Sequence, residues 1–156
     1  MKHSFSKSLE VGKAGELAFM ELWPGLERLD GRTHDFFSPS SGKTIELKTD
    51  SYDMNKTANF FIELWSDLEQ EKVGGPWQAR KNATDLWIYY FRQNQTAFEF
   101  NVAELAEWTD KNHAAYKPVH IFNPSWVTAG IKVPREALAF LYIELKSTAS
   151  RVGETK

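Results

Sequence analysis

The chain has 156 residues, of which 42% are hydrophobic, enough to form the core of one domain but not comfortably of two. It contains no cysteine, which excludes disulfides, thiolate zinc sites and cysteine nucleophiles and is typical of a reducing compartment. The net charge of −2 argues mildly against a protein whose whole surface binds nucleic acid, because such proteins are usually basic. There is no run of eighteen apolar residues and the sequence MKHSFSKSLE lacks the apolar segment of a signal peptide, so we expect a cytoplasmic protein with no membrane partner.

The first half of the sequence predicts a helix followed by strands. Residues 12–23 are rich in helix formers and end before a Pro-Gly pair, which predicts a helix. Residues 33–37 and 44–49 have the composition of strands and are separated by the turn-forming sequence SPSSGK, so we predict a β-hairpin. The sequence NFFIEL at 59–64 predicts another strand.

The second half predicts alternating strands and helices. In order, we predict a short helix that begins near Pro76, a buried strand over 85–91, a strand at TAFEFNV, a helix over about 102–112 with Asn101 as N-cap, and a strand over 117–123. Pro134 predicts the start of a final amphipathic helix, PREALAFLYIELK. Together these elements predict one α/β or α+β domain over 1–156, in which helices flank a central mixed β-sheet.

The tetrapeptide IELK occurs twice, and its Glu-x-Lys pair is the type of sequence that can hold a metal ion and a water-orienting base. A chain of this size should contain about half an instance of Glu-x-Lys by chance, so the motif alone indicates little. The neighbouring residues must distinguish the two copies.

The second copy has a structural interpretation. Glu144 and Lys146 end the predicted C-terminal helix, where a lysine interacts favourably with the helix dipole, and no carboxylate precedes them on a paired strand. A near-copy, IELW, lacks the lysine, and its Glu63 is either a solvated residue on the outer face of a strand or an auxiliary acid.

The first copy lies on the predicted hairpin. Side chains alternate along a strand, so Glu46 and Lys48 share one face while the apolar residues between and before them point to the other. If the loop closes symmetrically across Ser40 and Ser41, paired residue numbers sum to 81 and Asp35 lies opposite Glu46. Facing carboxylates are destabilising unless a cation such as Mg²⁺ lies between them. The alternative is a solvated hairpin with a mixture of charges.

A helix with Glu16 in GKAGELAF is followed by Asp35 and then by Glu46-x-Lys48 on the next strand. This arrangement resembles the PD-(D/E)xK nuclease superfamily. That family has a restriction-endonuclease-like core of a helix, a three-strand meander, a crossover helix and another strand. Residues 12–91 follow this order, with 59–64 as the third strand, PWQARKN as the crossover helix and 85–91 as the fourth strand. Residues 92–156 form a C-terminal elaboration without a motif.

The resemblance implies a Mg²⁺-dependent endonuclease, with Mn²⁺ as a substitute ion, that cleaves DNA to 5′-phosphate and 3′-hydroxyl ends. It implies that Asp35, Glu46 and the Leu47 carbonyl hold the metal, that Glu16 is an auxiliary acid and that Lys48 positions the attacking water. On the crossover helix it places side chains within reach of the DNA backbone, namely Trp77, Gln78, Arg80 and Lys81.

Three further expectations follow from the same resemblance. A phage-encoded member would act in the host cytoplasm, and such a nuclease could act as a homodimer. The alternative function is a non-catalytic module that binds nucleic acid or protein and retains the nuclease scaffold.

Overall fold

The computed structural model describes residues 5–29, 33–147 and 152–153, with side chains from Gly12 onward. In this part of the chain three helices accompany two β-sheets, so the predicted mixed α+β class with a central mixed sheet is confirmed. The helices are α1 (Phe5–Leu22), α2 (Gly75–Lys81) and α3 (Val102–Asn112). The strands are β1 (Glu27–Arg28), β2 (Phe36–Ser38), β3 (Lys43–Asp50), β4 (Asn59–Asp67), β5 (Lys72–Val73), β6 (Leu86–Phe91), β7 (Thr96–Asn101), β8 (Pro118–Phe122), β9 (Val127–Pro134) and β10 (Tyr142–Lys146).

The larger sheet has six strands in the order β1-β2-β3-β6-β7-β10. All its neighbours pair antiparallel except β3 and β6, which run parallel and are connected through β4, β5 and α2. All six residues of β6 are buried, which is typical of a central strand covered on both faces. Asp85 accepts hydrogen bonds from the backbone N–H (2.9 Å) and the hydroxyl (3.1 Å) of Thr44 and so joins the beginnings of the parallel strands.

The smaller sheet has four antiparallel strands in the order β5-β4-β9-β8. Alternate residues of β4, including Phe60 and Ile62, pack with Tyr89 and Phe98 of the larger sheet in one core. On its other face the larger sheet packs against Phe19 of α1 in a second core. The central sheet therefore lies between α1 and the smaller sheet.

The strand at 59–64 was predicted correctly, but its assignment as the third strand of the meander was wrong. The meander is formed by β1, β2 and β3, whereas β4 pairs with β9 and β5 in the smaller sheet. Two physical reasons explain the error. With only two residues, β1 is too short to give an alternation pattern, and β9, the partner of β4, lies about 65 residues further along the chain.

The helix predicted from Pro134 was also wrong. The segment continues β9 as far as Pro134, forms a short 3₁₀ turn at Arg135–Leu138 and then forms β10. Five residue pairs join β10 to β7, so the backbone groups of YIELK bond to a neighbouring strand instead of within a helix. Long-range pairing has overridden the local helical pattern, and the second IELK lies on an edge strand.

The remaining elements lie close to the predicted positions. α1 begins earlier than expected and ends at Leu22, β6 starts one residue late, and β8 occupies most of the predicted 117–123. The N-cap of α3 is confirmed, since Asn101 Oδ1 accepts a hydrogen bond from the Glu104 N–H at 3.0 Å. None of the helices in the described ranges is long and apolar enough to cross a membrane.

Candidate active site

The hairpin of β2 and β3 has the predicted register. Phe36 pairs with Ile45 and Phe37 with Thr44, so paired numbers sum to 81. The Asp35 N–H donates to the Ile45 carbonyl at 2.9 Å, one residue out of this register, so Asp35 and Phe36 both lie beside Ile45. The backbone does not pair Asp35 with Glu46 as the symmetrical register predicted, but the two side chains are close enough to share a hydrogen bond.

Backbone hydrogen bonds hold Asp35 in place. Its carbonyl accepts from the Leu29 N–H at 2.9 Å, and its Oδ2 accepts from the Leu47 N–H at 2.8 Å. Its neighbour His34 is tied to the buried Thr84, with 2.8 Å between Nδ1 and Oγ1. The Asp35 carboxylate is therefore attached to the strand that bears Glu46 before any ligand binds.

The two sides of β3 face different surroundings, as the alternation predicted. Ile45 is fully buried in the core beneath α1, and Leu47 packs against the same core. Glu46 and Lys48 line a cleft of about 320 Å³ on the other side. We name it the acidic cleft; it lies between β3, β4 and the start of α2, and its walls include Thr33, Glu46, Lys48, Phe61, Glu63, Ser66, Gly74, Gly75, Gln78, Asn82 and Trp87.

The pKa of the Glu46 carboxyl lies well above its ordinary value. Burial is the largest cause that raises the pKa of its carboxyl, to about 9, and the charge of Asp35 is the next. The protonated carboxyl also donates a hydrogen bond to Asp35, and the charges of Glu16 and Glu63 raise the pKa further. One proton thus replaces the cation that two facing carboxylates otherwise require.

Glu16 reaches this group from α1, as the resemblance implied. A Cβ on Gly15 would collide with the side chain of Thr49, so glycine allows α1 to approach β3 closely. Burial and the charge of Asp35 raise the pKa of Glu16, while Arg28 lowers it. Arg28 Nε lies 3.4 Å from Glu16 Oε1, and this ion pair orients the carboxylate.

Glu63 is a further acid at the cleft, and the sequence left its role open between two interpretations. The pairing of β4 with β9 shifts by one residue after Glu63, an irregularity of the kind that redirects side chains near functional sites. Its Oε2 accepts from the Gly75 N–H at 3.2 Å. Gly75 has a φ of +52°, and a Cβ there would clash with the Glu63 carbonyl. The only sequence signal for Glu63 was the near-copy IELW.

The donor atoms suit one hard cation. Among the residues that the structure describes, no group of three or more carboxylate or histidine side chains is spaced to hold a metal ion. The charges of Asp35, Glu16 and Glu63 raise the pKa of Glu46, but the four side chains do not converge on one point. Mg²⁺ commonly uses one or two carboxylates and keeps waters for a substrate phosphate, so Asp35 and Glu46 suffice. The Leu47 carbonyl leaves its strand on the same side as its N–H, toward Asp35, and can complete the set.

The four residues predicted on α2 lie in different surroundings. Gln78 lines the acidic cleft, and Lys81 is exposed. Trp77 and Arg80 instead contact α3, because Trp77 Nε1 donates to Asp110 at 2.8 Å and Arg80 makes two hydrogen bonds to it, at 2.6 and 3.1 Å. Gln78 therefore lines the acidic cleft, whereas Trp77 and Arg80, which bond to Asp110, do not.

The second IELK has no comparable surroundings. Glu144 and Lys146 lie on the edge strand β10 and pair with each other at 3.5 Å, with 40% and 69% of their side chains exposed. Neither residue lines the acidic cleft. They provide matched controls for Glu46 and Lys48.

Comparison of the chain with protein-family models gives no match. Comparison with curated proteins also gives none.

Proposed function

We propose that this protein is a metal-dependent nuclease that hydrolyses phosphodiester bonds in DNA. The observation that carries the proposal is the pair of neighbouring carboxyl groups of Asp35 and Glu46, beside a cleft that Glu46 and Lys48 line. Burying two acids against each other destabilises the fold, and a divalent cation that binds a phosphate would offset this.

The chain order supports the proposed PD-(D/E)xK relationship. α1 precedes the meander β1-β2-β3, and α2 then leads into β6, which lies parallel to β3. The β4–β5 hairpin lies between the meander and α2 in sequence and adds Glu63 and Phe61 to the acidic cleft.

Each residue has a defined task in this proposal. Asp35 and Glu46, with the Leu47 carbonyl, would hold the ion, and Mg²⁺ bound there would supply Lewis-acid stabilisation of the charge on the phosphate. Lys48 donates a hydrogen bond to the attacking water and orients its lone pair toward phosphorus. The water oxygen would form a bond to phosphorus as the bond between phosphorus and the 3′ oxygen breaks, and one proton of the water would end on the leaving 3′ oxygen. The products would be a 5′-phosphate and a 3′-hydroxyl end.

Two further groups assist. Glu16, oriented by Arg28, accepts a hydrogen bond from water at the edge of the site. Gln78 and Asn82 line the same cleft, and their amides can donate to phosphate oxygens.

The test is incubation of the protein with linear, nicked, single-stranded and four-way-junction DNA in Mg²⁺ and in EDTA. We expect cleavage only with Mg²⁺, its loss in Glu46→Ala and Lys48→Ala, and its retention in Glu144→Ala and Lys146→Ala. Full activity in the first two variants, or cleavage in EDTA, would contradict the assignment. Binding of DNA with no cleavage of any substrate would favour the non-catalytic module.

A further inference from the structure

A second cleft continues from the acidic cleft on the far side of Lys48. Its volume is about 560 Å³, and Lys48 and Phe61 line both clefts, so the two clefts adjoin. We name it the lysine cleft; its walls are the end of β3, residues 51–59 and strands β4, β6, β8 and β9, with Lys48, Asp50, Tyr52, Lys56, Lys132 and Ile121 among the lining residues.

The lysine cleft is positively charged in a protein of net charge −2. Three lysines and one acid, Asp50, line it. Asp50 already accepts hydrogen bonds from the Tyr89 hydroxyl and from the Tyr52 N–H, the latter at 2.8 Å. Lys56 and Lys132 are exposed, and within the described ranges neither forms an ion pair with a carboxylate. Lys56 also lies near the charge of Asp53, which belongs to the same loop. Exposed ammonium groups that form no salt bridge in this part of the chain suit a phosphate backbone.

An aromatic side chain stands beside these lysines. Tyr52 lines the lysine cleft and is 74% exposed. Part of the cleft lining is apolar, formed by Val119 and the 39% exposed Ile121 of β8. A basic groove with an exposed aromatic ring is the arrangement that proteins use to bind single strands, since the ring stacks on an unpaired base.

The wall that bears Tyr52 and Lys56 is held by the rest of the fold. Arg135 donates to the carbonyls of Thr57 at 2.6 Å and Met54 at 2.9 Å. The Met54 N–H donates in turn to Asn94 at 2.9 Å. The backbone of this wall is therefore held before a ligand arrives, which lowers the backbone entropy lost on binding.

We propose that the lysine cleft binds a single-stranded segment of the nucleic-acid substrate and leads it to the acidic cleft. This inference rests on the proposed nuclease function and narrows its substrate. Lys56 and Lys132 contact successive phosphates, and Tyr52 stacks on a base. The cleft has the volume of a small-ligand site, which suits one or two nucleotides, and paired bases within a duplex do not offer a face to Tyr52.

The test is fluorescence anisotropy of a short labelled oligothymidine with the full chain in EDTA, where no Mg²⁺-dependent cleavage takes place. We expect Lys56→Gln/Lys132→Gln to make the slope of log affinity against log salt less steep by about 1.4, or about 0.7 for each lost phosphate contact. We expect Tyr52→Ala to weaken binding between about 5-fold and about 150-fold. The control Lys111→Gln/Lys146→Gln removes the same charge from exposed lysines on α3 and β10, outside both clefts, and should bind like the wild type.

Two results would overturn the inference. One is unchanged affinity and salt slope in both lysine-cleft variants. The other is a blunt duplex that binds as tightly as the single strand and loses as much affinity with Tyr52→Ala. Comparison of oligodeoxyuridine with oligouridine of the same length identifies the preferred sugar, and a loss of affinity in the variants with either oligonucleotide supports the lysine cleft.

Because binding is measured without cleavage, the result is independent of the proposed chemistry. Single-strand binding that depends on Tyr52 but is never followed by cleavage would leave the lysine cleft in place and remove the nuclease proposal. Cleavage that does not depend on Tyr52, Lys56 or Lys132 would support the nuclease proposal and contradict the role of the lysine cleft.

Discussion

Replacing Glu46 with glutamine should make the metal-free protein more stable at alkaline pH, even though it removes a residue of the proposed site. The folded state raises the pKa of this carboxyl to about 9 from the ordinary 4.5. Between these two pH values the folded protein keeps a proton that the unfolded chain has lost, so the free energy of unfolding falls as pH rises. Glutamine has no proton to lose, and its amide can donate to Asp35 as the protonated carboxyl does.

The magnitude follows from the pH interval. Each unit of pH within this window changes the free energy of unfolding by about 1.36 kcal/mol, so the wild type should lose at most about 2.7 kcal/mol more than Glu46→Gln between pH 6 and pH 8. Glu46 keeps partial contact with solvent, which screens the effect, and we expect a difference of about 1.5–2.5 kcal/mol.

Urea denaturation in EDTA at pH 6 and pH 8 measures this difference, with the m-value as a check that both proteins unfold alike. Glu144→Gln is the matched control, because it makes the same chemical change in the second IELK, where the carboxylate is exposed and paired with Lys146. The reasoning is refuted if the wild type and Glu46→Gln lose the same free energy over this interval, or if Glu144→Gln behaves like Glu46→Gln.

Two further predictions concern the same cleft. At pH 8, Mg²⁺ at about one hundred times its dissociation constant should stabilise the wild type by about 2.7 kcal/mol and Glu46→Gln by clearly less. The measurement is the shift in melting temperature that Mg²⁺ causes in each protein. Equal shifts would place the ion elsewhere. Gly75→Ala should lower the free energy of unfolding by about 2–4 kcal/mol, because alanine disfavours the φ of +52° and its Cβ meets the Glu63 carbonyl. Urea denaturation measures this loss, and an unchanged midpoint of the urea transition would contradict the contact.

The sequence alone determined the parts of the site that depend on local geometry. Strand alternation assigned Glu46 and Lys48 to one face and the apolar residues to the other, and the turn-forming loop fixed the register of Phe36 with Ile45, next to which the Asp35 and Glu46 carboxyls are neighbours. Both follow from interactions between residues close in sequence. The N-cap at Asn101 was predictable for the same reason.

Contacts between residues far apart in sequence were decided only by the tertiary structure. Pairing with β7 made the second IELK an edge strand, and pairing with β9 moved β4 into a separate sheet. That second sheet placed Glu63 at the acidic cleft and set Lys132 beside Lys56 in the lysine cleft, about 75 residues apart in the chain. Local patterns specify which face a side chain occupies, but backbone pairing across such distances depends on the whole core, and no short segment of sequence encodes it.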